Sequence, residues 1–255
     1  MPYADNQGTC IHYETEGSGP PLVLQHWSLG SLDGWHEYGY INALKDSYLV
    51  VALDVRGHGA SDSPHDPAPY ALDNRVGDIV AVLDDLSIEC AHYYGYSMGG
   101  WIGFGIAQYA PHRFGSLAIG GAHPYEQEMS GLRDLLTVGV DQGARAFIDL
   151  LKGMFGDFAR RHEAQWLEAD FVAQRAAAGD RSSLEAVLPT IECPCLVLAG
   201  AEDSIFASAE RACNAIPQGR FEALPGMDHG DVLARSDLVV PILRAFFEEV
   251  DGRQA

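Results

Sequence analysis

Short apolar runs alternate with longer amphipathic stretches along most of the chain. Runs rich in Val, Ile, Leu and Tyr predict seven β-strands, at residues 10–16, 22–26, 48–54, 92–96, 116–121, 195–200 and 220–224. The stretches 74–86 and 233–247 carry apolar residues at helical spacing. Because strands alternate with helices, we expect an α/β fold, with a mostly parallel sheet covered by helices on both faces.

One region, residues 122–189, departs from this alternation. It contains no convincing strand, only helix-like stretches at 132–138, 144–154 and 166–178. Ligands of open α/β sheets bind at one end of the sheet, and a helical insertion between two strands is placed to cover that end. The alternative is a helical subdomain without contact to substrate. We therefore predict one core domain, residues 1–121 and 190–255, and a helical cap insertion, residues 122–189.

Composition narrows the range of partners. Hydrophobic residues make up 47% of the 255 residues and charged residues 20%, as in ordinary folded domains. The formal net charge of -20 argues against nucleic acid and anionic membranes as partners. The same field favours small neutral substrates, although a pocket can override it within a Debye length of about 8–10 Å.

Two further features of the sequence concern the location of the protein in the cell and the state of its cysteines. The first eight residues are polar, and no stretch approaches the roughly 20 apolar residues of a membrane span, which predicts a cytoplasmic protein. The five cysteines are odd in number and scattered, unlike a disulfide framework. Cys193 and Cys195 flank a proline but have no second pair with which to hold a metal. We expect buried free thiols, with no metal and no cofactor.

The strongest local motif is a serine between glycines, Gly95-Tyr96-Ser97-Met98-Gly99. It stands where the predicted strand 92–96 meets a helix predicted at 101–109. A sharp strand-to-helix turn brings backbone segments close together, so it needs small residues two positions either side of the serine. The pattern alone is weak evidence, but in this context it marks Ser97 as a candidate nucleophile.

A serine hydroxyl needs a base to remove its proton, and the base needs a group that orients it. Among ten histidines, His229 follows the last predicted strand in a loop flanked by glycine. A lone loop histidine is more often a surface or helix-capping residue, but its place after the final strand favours the role of base. Asp203 lies just beyond strand 195–200 and is the candidate orienting acid, with Glu202 as its nearest competitor.

Two further segments strengthen the case. His26-Trp27-Ser28 ends the second predicted strand, and residues 54–61 read Asp-Val-Arg-Gly-His-Gly-Ala-Ser. Over nearly its whole length the chain resembles an α/β-hydrolase, whose patterns His-Gly-x and Asp-x-Arg-Gly-x-Gly-x-Ser these segments match. The order Ser97, Asp203, His229 also matches the triad order of that fold. The resemblance implies Ser97 as nucleophile, His229 as base and Asp203 as the residue that orients the histidine.

The resemblance also implies an oxyanion hole made by the backbone amides of Ser28 and Met98. Trp27 departs from the family, because it stands where glycine is usual, and this leaves open whether Ser28 or Trp27 donates the first amide. We expect the Trp27 side chain to face substrate. For the two other histidines of these segments, His26 and His58, we expect structural hydrogen bonds.

The predicted activity is that of a serine hydrolase that cleaves small uncharged carboxylic esters through an acyl-enzyme intermediate. Fold and triad do not fix the substrate, so carbon–carbon bond hydrolysis, lactone opening and peracid formation remain alternatives. A ligand-binding protein built on a hydrolase scaffold is the alternative outside enzymes, and an intact triad speaks against it. The oligomeric state is not predicted.

Overall fold

The computed structural model describes residues 2–254, which form a sheet of eight strands flanked by helices. The strands are β1 Tyr3–Asn6, β2 Thr9–Glu16, β3 Pro21–Gln25, β4 Leu49–Leu53, β5 Ala91–Tyr96, β6 Phe114–Gly120, β7 Cys195–Gly200 and β8 Gly219–Leu224. Their order across the sheet is β1-β2-β4-β3-β5-β6-β7-β8. β1 and β2 run antiparallel to their neighbours, and all the other pairs are parallel.

Twelve α-helices accompany the sheet in the part of the chain described. They are α1 Asp33–Glu37, α2 Tyr40–Leu44, α3 Leu72–Asp85, α4 Met98–Tyr109, α5 Ser130–Gln142, α6 Ala144–Phe155, α7 Asp157–Arg161, α8 Glu163–Leu167, α9 Phe171–Ala177, α10 Phe206–Asn214, α11 His229–Ala234 and α12 Ser236–Gln254. Short 3₁₀ helices occupy Ala68–Tyr70, Pro111–Arg113 and Glu185–Thr190. Within residues 2–254, none of these helices combines the length and the apolar character needed to cross a membrane.

The central strands are buried on both faces because their side chains alternate between two cores. In β7, Val197 belongs to the core that includes side chains of α3, α4 and α10 on one face, whereas Leu196 and Leu198 belong to the core that includes side chains of α2, α11 and α12 on the other. A strand covered on both faces must be apolar throughout, which explains the continuous apolar runs in the sequence. The α/β fold class predicted from these runs is confirmed.

All seven predicted strands are present, with bounds within two residues of those expected. β1 was missed. Two predicted helices are each divided into two. The region 166–178 contains α8 and α9, and α9 begins where the Asp170 side chain accepts a hydrogen bond from the Ala173 amide. The region 233–247 falls in α11 and α12. His229, expected in a loop, is the first residue of α11.

The helices α5 to α9, here called the inserted helices, lie between β6 and β7 in the sequence. They have a small core of their own, in which the Phe147 ring packs against Trp166 and Phe171. The Trp166 indole N–H donates to the Leu29 carbonyl across 2.8 Å, which ties the inserted helices to the loop after β3. The division into core and cap stays a prediction.

The free cysteines lie in different environments. Cys195 and Cys213 are buried and Cys193 is partly buried, as expected, whereas Cys10 and Cys90 are exposed. Burial raises the pKa of Cys193 to about 11, so this thiol is protonated at neutral pH and is not a reactive thiolate.

A buried carboxylate, Asp54, organises the loops at the end of β4. Its oxygens accept hydrogen bonds from the Leu32 amide at 2.8 Å, the Ala60 amide at 3.0 Å and His12 Nδ1 at 2.7 Å. Burial alone would raise the pKa of Asp54, but the bond from His12 and the two amides hold it below its ordinary value. The bond to Asp54 raises the pKa of His12, although burial opposes this.

This pair predicts how stability depends on pH. The Asp54 contribution is present above its ordinary pKa of 3.8, and the His12 contribution is present below 6.5 and is lost as pH rises through the raised pKa. We expect His12→Asn, which retains a neutral donor at the same position, to cost about 1 kcal/mol more at pH 5.5 than at pH 9. Urea unfolding of both proteins at the two pH values measures this, and an equal cost would contradict it.

Candidate active site

Ser97 stands at a strained turn between β5 and α4. Its φ of 53° and ψ of -108° lie in a region that residues other than glycine rarely adopt. Hydrogen bonds hold the turn: the Ser97 amide donates to the Gly120 carbonyl at 2.8 Å, and the Trp101 amide donates to the Ser97 carbonyl at 2.9 Å. The serine is thereby presented at the carboxyl end of the sheet, as predicted.

The flanking glycines are there because the backbone leaves no room for a side chain. A Cβ at Gly95 would lie 2.4 Å from the carbonyl of Gly99, and one at Gly99 would lie 2.1 Å from the carbonyl oxygen of Gln25. Both distances are far below van der Waals contact. The sequence motif is therefore explained by close backbone approach at the turn.

His229 and Asp203 are joined directly. His229 Nδ1 lies 2.6 Å from Asp203 Oδ2, and Asp203 Oδ1 accepts from the Ile205 amide at 3.1 Å. Asp203, not Glu202, makes this bond, and Asp203 is 6% exposed whereas the Glu202 side chain faces solvent. A carboxylate at Nδ1 fixes the proton there and leaves Nε2 of a neutral imidazole free to accept a proton.

The electrostatics keep this carboxylate charged. Burial raises the pKa of Asp203, but the hydrogen bond and the charge of His229 outweigh it, and the pKa lies below its ordinary value. Asp203 is therefore ionised at neutral pH and can stabilise an imidazolium.

The histidine is held from several sides. Asp228 caps α11 by accepting from the Asp231 amide at 2.8 Å, and the Tyr96 hydroxyl donates to the His229 carbonyl at 2.6 Å. Gly121, at a φ of 57°, faces the ring, since a Cβ there would lie 3.0 Å from His229 Cε1. The imidazole side chain itself is 44% exposed, which gives a substrate access to it.

Ser97, Asp203 and His229 line the same two cavities, one of about 250 Å³ and one of about 900 Å³. Ser28 lines both of them as well. The larger cavity is also lined by apolar side chains of α5 to α8, namely Leu132, Leu135, Leu151, Met154, Phe155, Phe158 and Trp166. The structure thus brings the three residues predicted as a triad together at the same two cavities.

The two predicted oxyanion donors lie at this site too. Met98 is the first residue of α4, and the first amides of a helix have no carbonyl partner within it. The loop that carries Ser28 is fixed by His26, whose Nδ1 donates to the Trp27 carbonyl at 2.8 Å and whose Nε2 accepts from the Val55 amide at 3.0 Å. Burial lowers the pKa of His26, consistent with the neutral ring that this pattern requires.

Trp27 is not strained, although it stands where glycine is usual. The positive φ of this loop, 64°, belongs to Leu29. The indole is 5% exposed and packs edge-on against Trp35, over Gly30 and Gly34, where added Cβ atoms would lie 2.8 and 2.4 Å from it. It still lines the larger cavity. Glycines elsewhere in the loop therefore create the space for this tryptophan.

Some site residues were missed from the sequence. Of the aromatic residues, only Trp27 was expected at the substrate, yet Tyr38 and Tyr96 also line the larger cavity. His58 is buried and Nδ1 lies 3.3 Å from the Arg56 carbonyl, so it has the structural hydrogen bond expected of it. Arg75 and Arg181 meet near the site across a long stretch of sequence, which no local pattern indicated.

No group of three or more His, Cys, Asp or Glu side chains within residues 2–254 is placed to hold a metal ion.

A strained serine after a buried strand, with a histidine–carboxylate pair beside it, is typical of hydrolases that use a serine nucleophile. The family model of the alpha/beta hydrolase fold matches residues 20–185, so the chain belongs to this family of hydrolases.

Individual relatives agree with this assignment. The chain is 29% identical over 246 residues to 3-oxoadipate enol-lactonase 2 of Acinetobacter baylyi, covering 86% of each chain. It is 28% identical to a non-heme haloperoxidase of Rhodococcus erythropolis, covering 97% of this chain and all of the other. The crystal structure of the enol-lactonase from Burkholderia xenovorans superposes with a TM-score of 0.85 at 25% identity, over 97% of this chain and 100% of that one.

Proposed function

We propose that the protein is a serine hydrolase that cleaves small uncharged carboxylic esters through an acyl-enzyme. The observation that carries the proposal is the 2.6 Å contact of His229 with Asp203 beside a cavity that Ser97 lines at a strained turn. A serine, a histidine and a buried ionised carboxylate in one cavity are the groups that acyl transfer requires.

The reaction follows from the proton positions. Ser97 Oγ attacks the ester carbonyl carbon while His229 Nε2 takes the hydroxyl proton, and Asp203 stabilises the resulting imidazolium. Backbone amides of Ser28 and Met98 would donate to the oxyanion. The imidazolium then protonates the departing alcohol, and water, deprotonated by His229, releases the acid from Ser97.

Lactone opening is the second candidate, because the chain is similar to enol-lactonases over most of its length. It needs the same steps, except that the leaving alcohol stays attached to the acyl group.

Rapid mixing with p-nitrophenyl acetate should give a burst of p-nitrophenol, equal in amount to the enzyme, if an acyl-enzyme accumulates. A panel of neutral esters, lactones and vinylogous diketones then ranks the substrates, and turnover of diketones alone would contradict ester hydrolysis.

We also propose that residues 122–189 form a cap over the site. Apolar side chains of α5, α6 and α8 line the larger cavity, and the Trp166 bond to Leu29 links them to the loop that carries Ser28. Closing such a cavity excludes water and strengthens the electrostatic interactions within it.

Trp27 is proposed to limit the length of the acyl chain. We expect Trp27→Gly to raise the ratio of octanoate to acetate hydrolysis, since each methylene newly admitted to an apolar pocket contributes about 0.8 kcal/mol, roughly fourfold in rate. The loss of a packed indole should also cost about 3–5 kcal/mol of unfolding free energy. A chain-length series of p-nitrophenyl esters measures the ratio, and an unchanged ratio with a lowered Tm would contradict the substrate-facing role.

A further inference from the structure

Two arginines converge on one indole next to the proposed active site. The Arg75 guanidinium carbon lies 6.0 Å from the ring centroid of Trp101, and that of Arg181 lies 4.7 Å from it. Arg75 is 3% exposed, on α3, and Arg181 is partly buried, beyond α9. Both line a cavity of about 620 Å³.

Arg181 also lines one of the two cavities that the proposed catalytic residues line. It lines the cavity of about 250 Å³ together with Ser97, His229 and Ser28. The positive charge of Arg181 also contributes to the lowered pKa of His123, a further residue of that cavity, after burial as the main cause. Arg181 therefore stands on the boundary between the catalytic cavity and its larger neighbour.

Neither arginine forms an ion pair with a carboxylate of the described residues, although the chain has 36 acidic residues. Arg75 donates to the carbonyls of Tyr70 at 2.8 Å and Ala177 at 2.7 Å, and to the Met98 sulfur at 3.4 Å. Arg181 donates to the side-chain oxygen of Gln127 at 3.2 Å. Buried cations are usually paired, so this arrangement is costly unless an anion completes it.

The nearby acids are engaged elsewhere. Asp78, whose charge favours the protonated form of Arg75, accepts from Arg56 Nε at 2.7 Å. Asp180, on the wall of the 620 Å³ cavity, forms an ion pair with Arg133 at 2.7 Å, and Asp73 on the same wall is exposed and accepts from the Asn74 amide. Asp203 is held by His229.

Burial lowers the pKa of both Arg75 and Arg181 to about 10. For Arg181 the charge of Arg75 adds to this effect. Both side chains therefore remain cationic at neutral pH.

We propose that Arg181 binds a carboxylate carried by the acyl or alcohol part of the substrate while the ester or lactone carbonyl lies at Ser97. A guanidinium matches a carboxylate through two parallel hydrogen bonds, and the charge of Arg75 adds to the positive field at Arg181. This inference rests on the proposed serine chemistry and extends its substrates from uncharged esters to esters and lactones that also carry a carboxylate. The negative net charge of the chain repels anions over a long distance, whereas Arg181 attracts a carboxylate in direct contact. Neutral esters can still react at Ser97, but they do not bind Arg181 through a charge.

The test compares two substrates with the same scissile bond, monomethyl glutarate and dimethyl glutarate, in a pH-stat assay. We expect Arg181→Gln to lower kcat/KM for the half-ester about tenfold or more, because a hydrogen bond to a charged group is lost. The diester should change by less than about twofold, since it makes no charged contact. Arg181→Lys should retain part of the preference.

Arg211→Gln is the matched control, because Arg211 is exposed, pairs with Glu185 and lies on α10, so the variant makes the same change of net charge. It should leave the ratio of half-ester to diester unchanged. The proposal is overturned if Arg181→Gln lowers kcat/KM equally for the half-ester and the diester. It is also overturned if Arg181→Gln and Arg211→Gln change the ratio of the two kcat/KM values equally.

Inhibition of the wild-type enzyme keeps the proposal testable if Arg181→Gln does not fold. Glutarate should inhibit hydrolysis of p-nitrophenyl acetate competitively, at concentrations at which glutaramide does not, and equal inhibition by the two overturns the proposal. Retention of diester hydrolysis in Ser97→Ala would instead refute the proposed function. Diester hydrolysis that depends on Ser97, without an effect of Arg181 on the ratio, refutes the carboxylate site alone.

Discussion

Ser97→Ala is expected to lower kcat for p-nitrophenyl acetate by a factor of about 10⁴ to 10⁶, because the members of a triad act as a unit. The fold should remain intact. Alanine at a φ of 53° is no more strained than serine, since both carry a Cβ, so the substitution removes the hydroxyl without relaxing the turn. Initial rates, with circular dichroism and Tm as checks on folding, measure the effect.

Ser204→Ala is the matched control for this experiment. Ser204 lines the same two cavities as Ser97, follows Asp203 directly and is exposed, so a small ester can reach its hydroxyl. We expect its loss to change kcat by less than about threefold, in the range of surface substitutions that remove no named interaction. Near-normal turnover by Ser97→Ala, or a collapse in Ser204→Ala, would refute Ser97 as the nucleophile.

Asp203→Asn is expected to lower kcat by about 10³ to 10⁴ while leaving the backbone unchanged. The reason lies in the tautomer of His229. The carboxylate accepts Nδ1–H at 2.6 Å, whereas an asparagine amide can donate to Nδ1, which would move the imidazole proton to Nε2. A protonated Nε2 of a neutral ring cannot accept the serine proton.

Glu202→Gln separates this effect from a general loss of negative charge. Glu202 is adjacent, exposed and lines the larger cavity, but the bond to His229 is made by Asp203. We expect its kcat to stay within about twofold of the wild type. The reverse ranking of the two variants, measured under saturating ester, would assign the orienting role to Glu202.

Burial on both faces explains why the sequence predicts a central strand such as β7 accurately. The bounds of β7 coincide with those predicted because its six residues are all buried and apolar. β1 was missed because it is a four-residue edge strand with largely polar residues, in which Tyr3 is 47% exposed. Its pairing with β2 comes from backbone hydrogen bonds, which leave little pattern in the side chains.

The residues of the proposed site also differ in how well the sequence predicts them. Ser97, with its flanking glycines, is a local backbone feature, and a local sequence pattern indicates it. The two arginines are different, since Arg75 and Arg181 belong to separate segments and meet at Trp101 only through tertiary packing. The backbone of the loop that carries Ser28 also depends on its surroundings, because the positive φ falls at Leu29, where the Trp166 indole N–H of the inserted helices donates to the carbonyl.

The most direct test of the proposed mechanism is labelling with a fluorophosphonate, followed by peptide mapping by mass spectrometry. Fluorophosphonates react with a serine that a neighbouring base activates, so the reaction reports the nucleophile itself. We predict one adduct per chain, on Ser97, with loss of esterase activity in proportion to labelling and no adduct in Ser97→Ala. An adduct on another residue, or ester hydrolysis that persists in fully labelled protein, would contradict the assignment of Ser97.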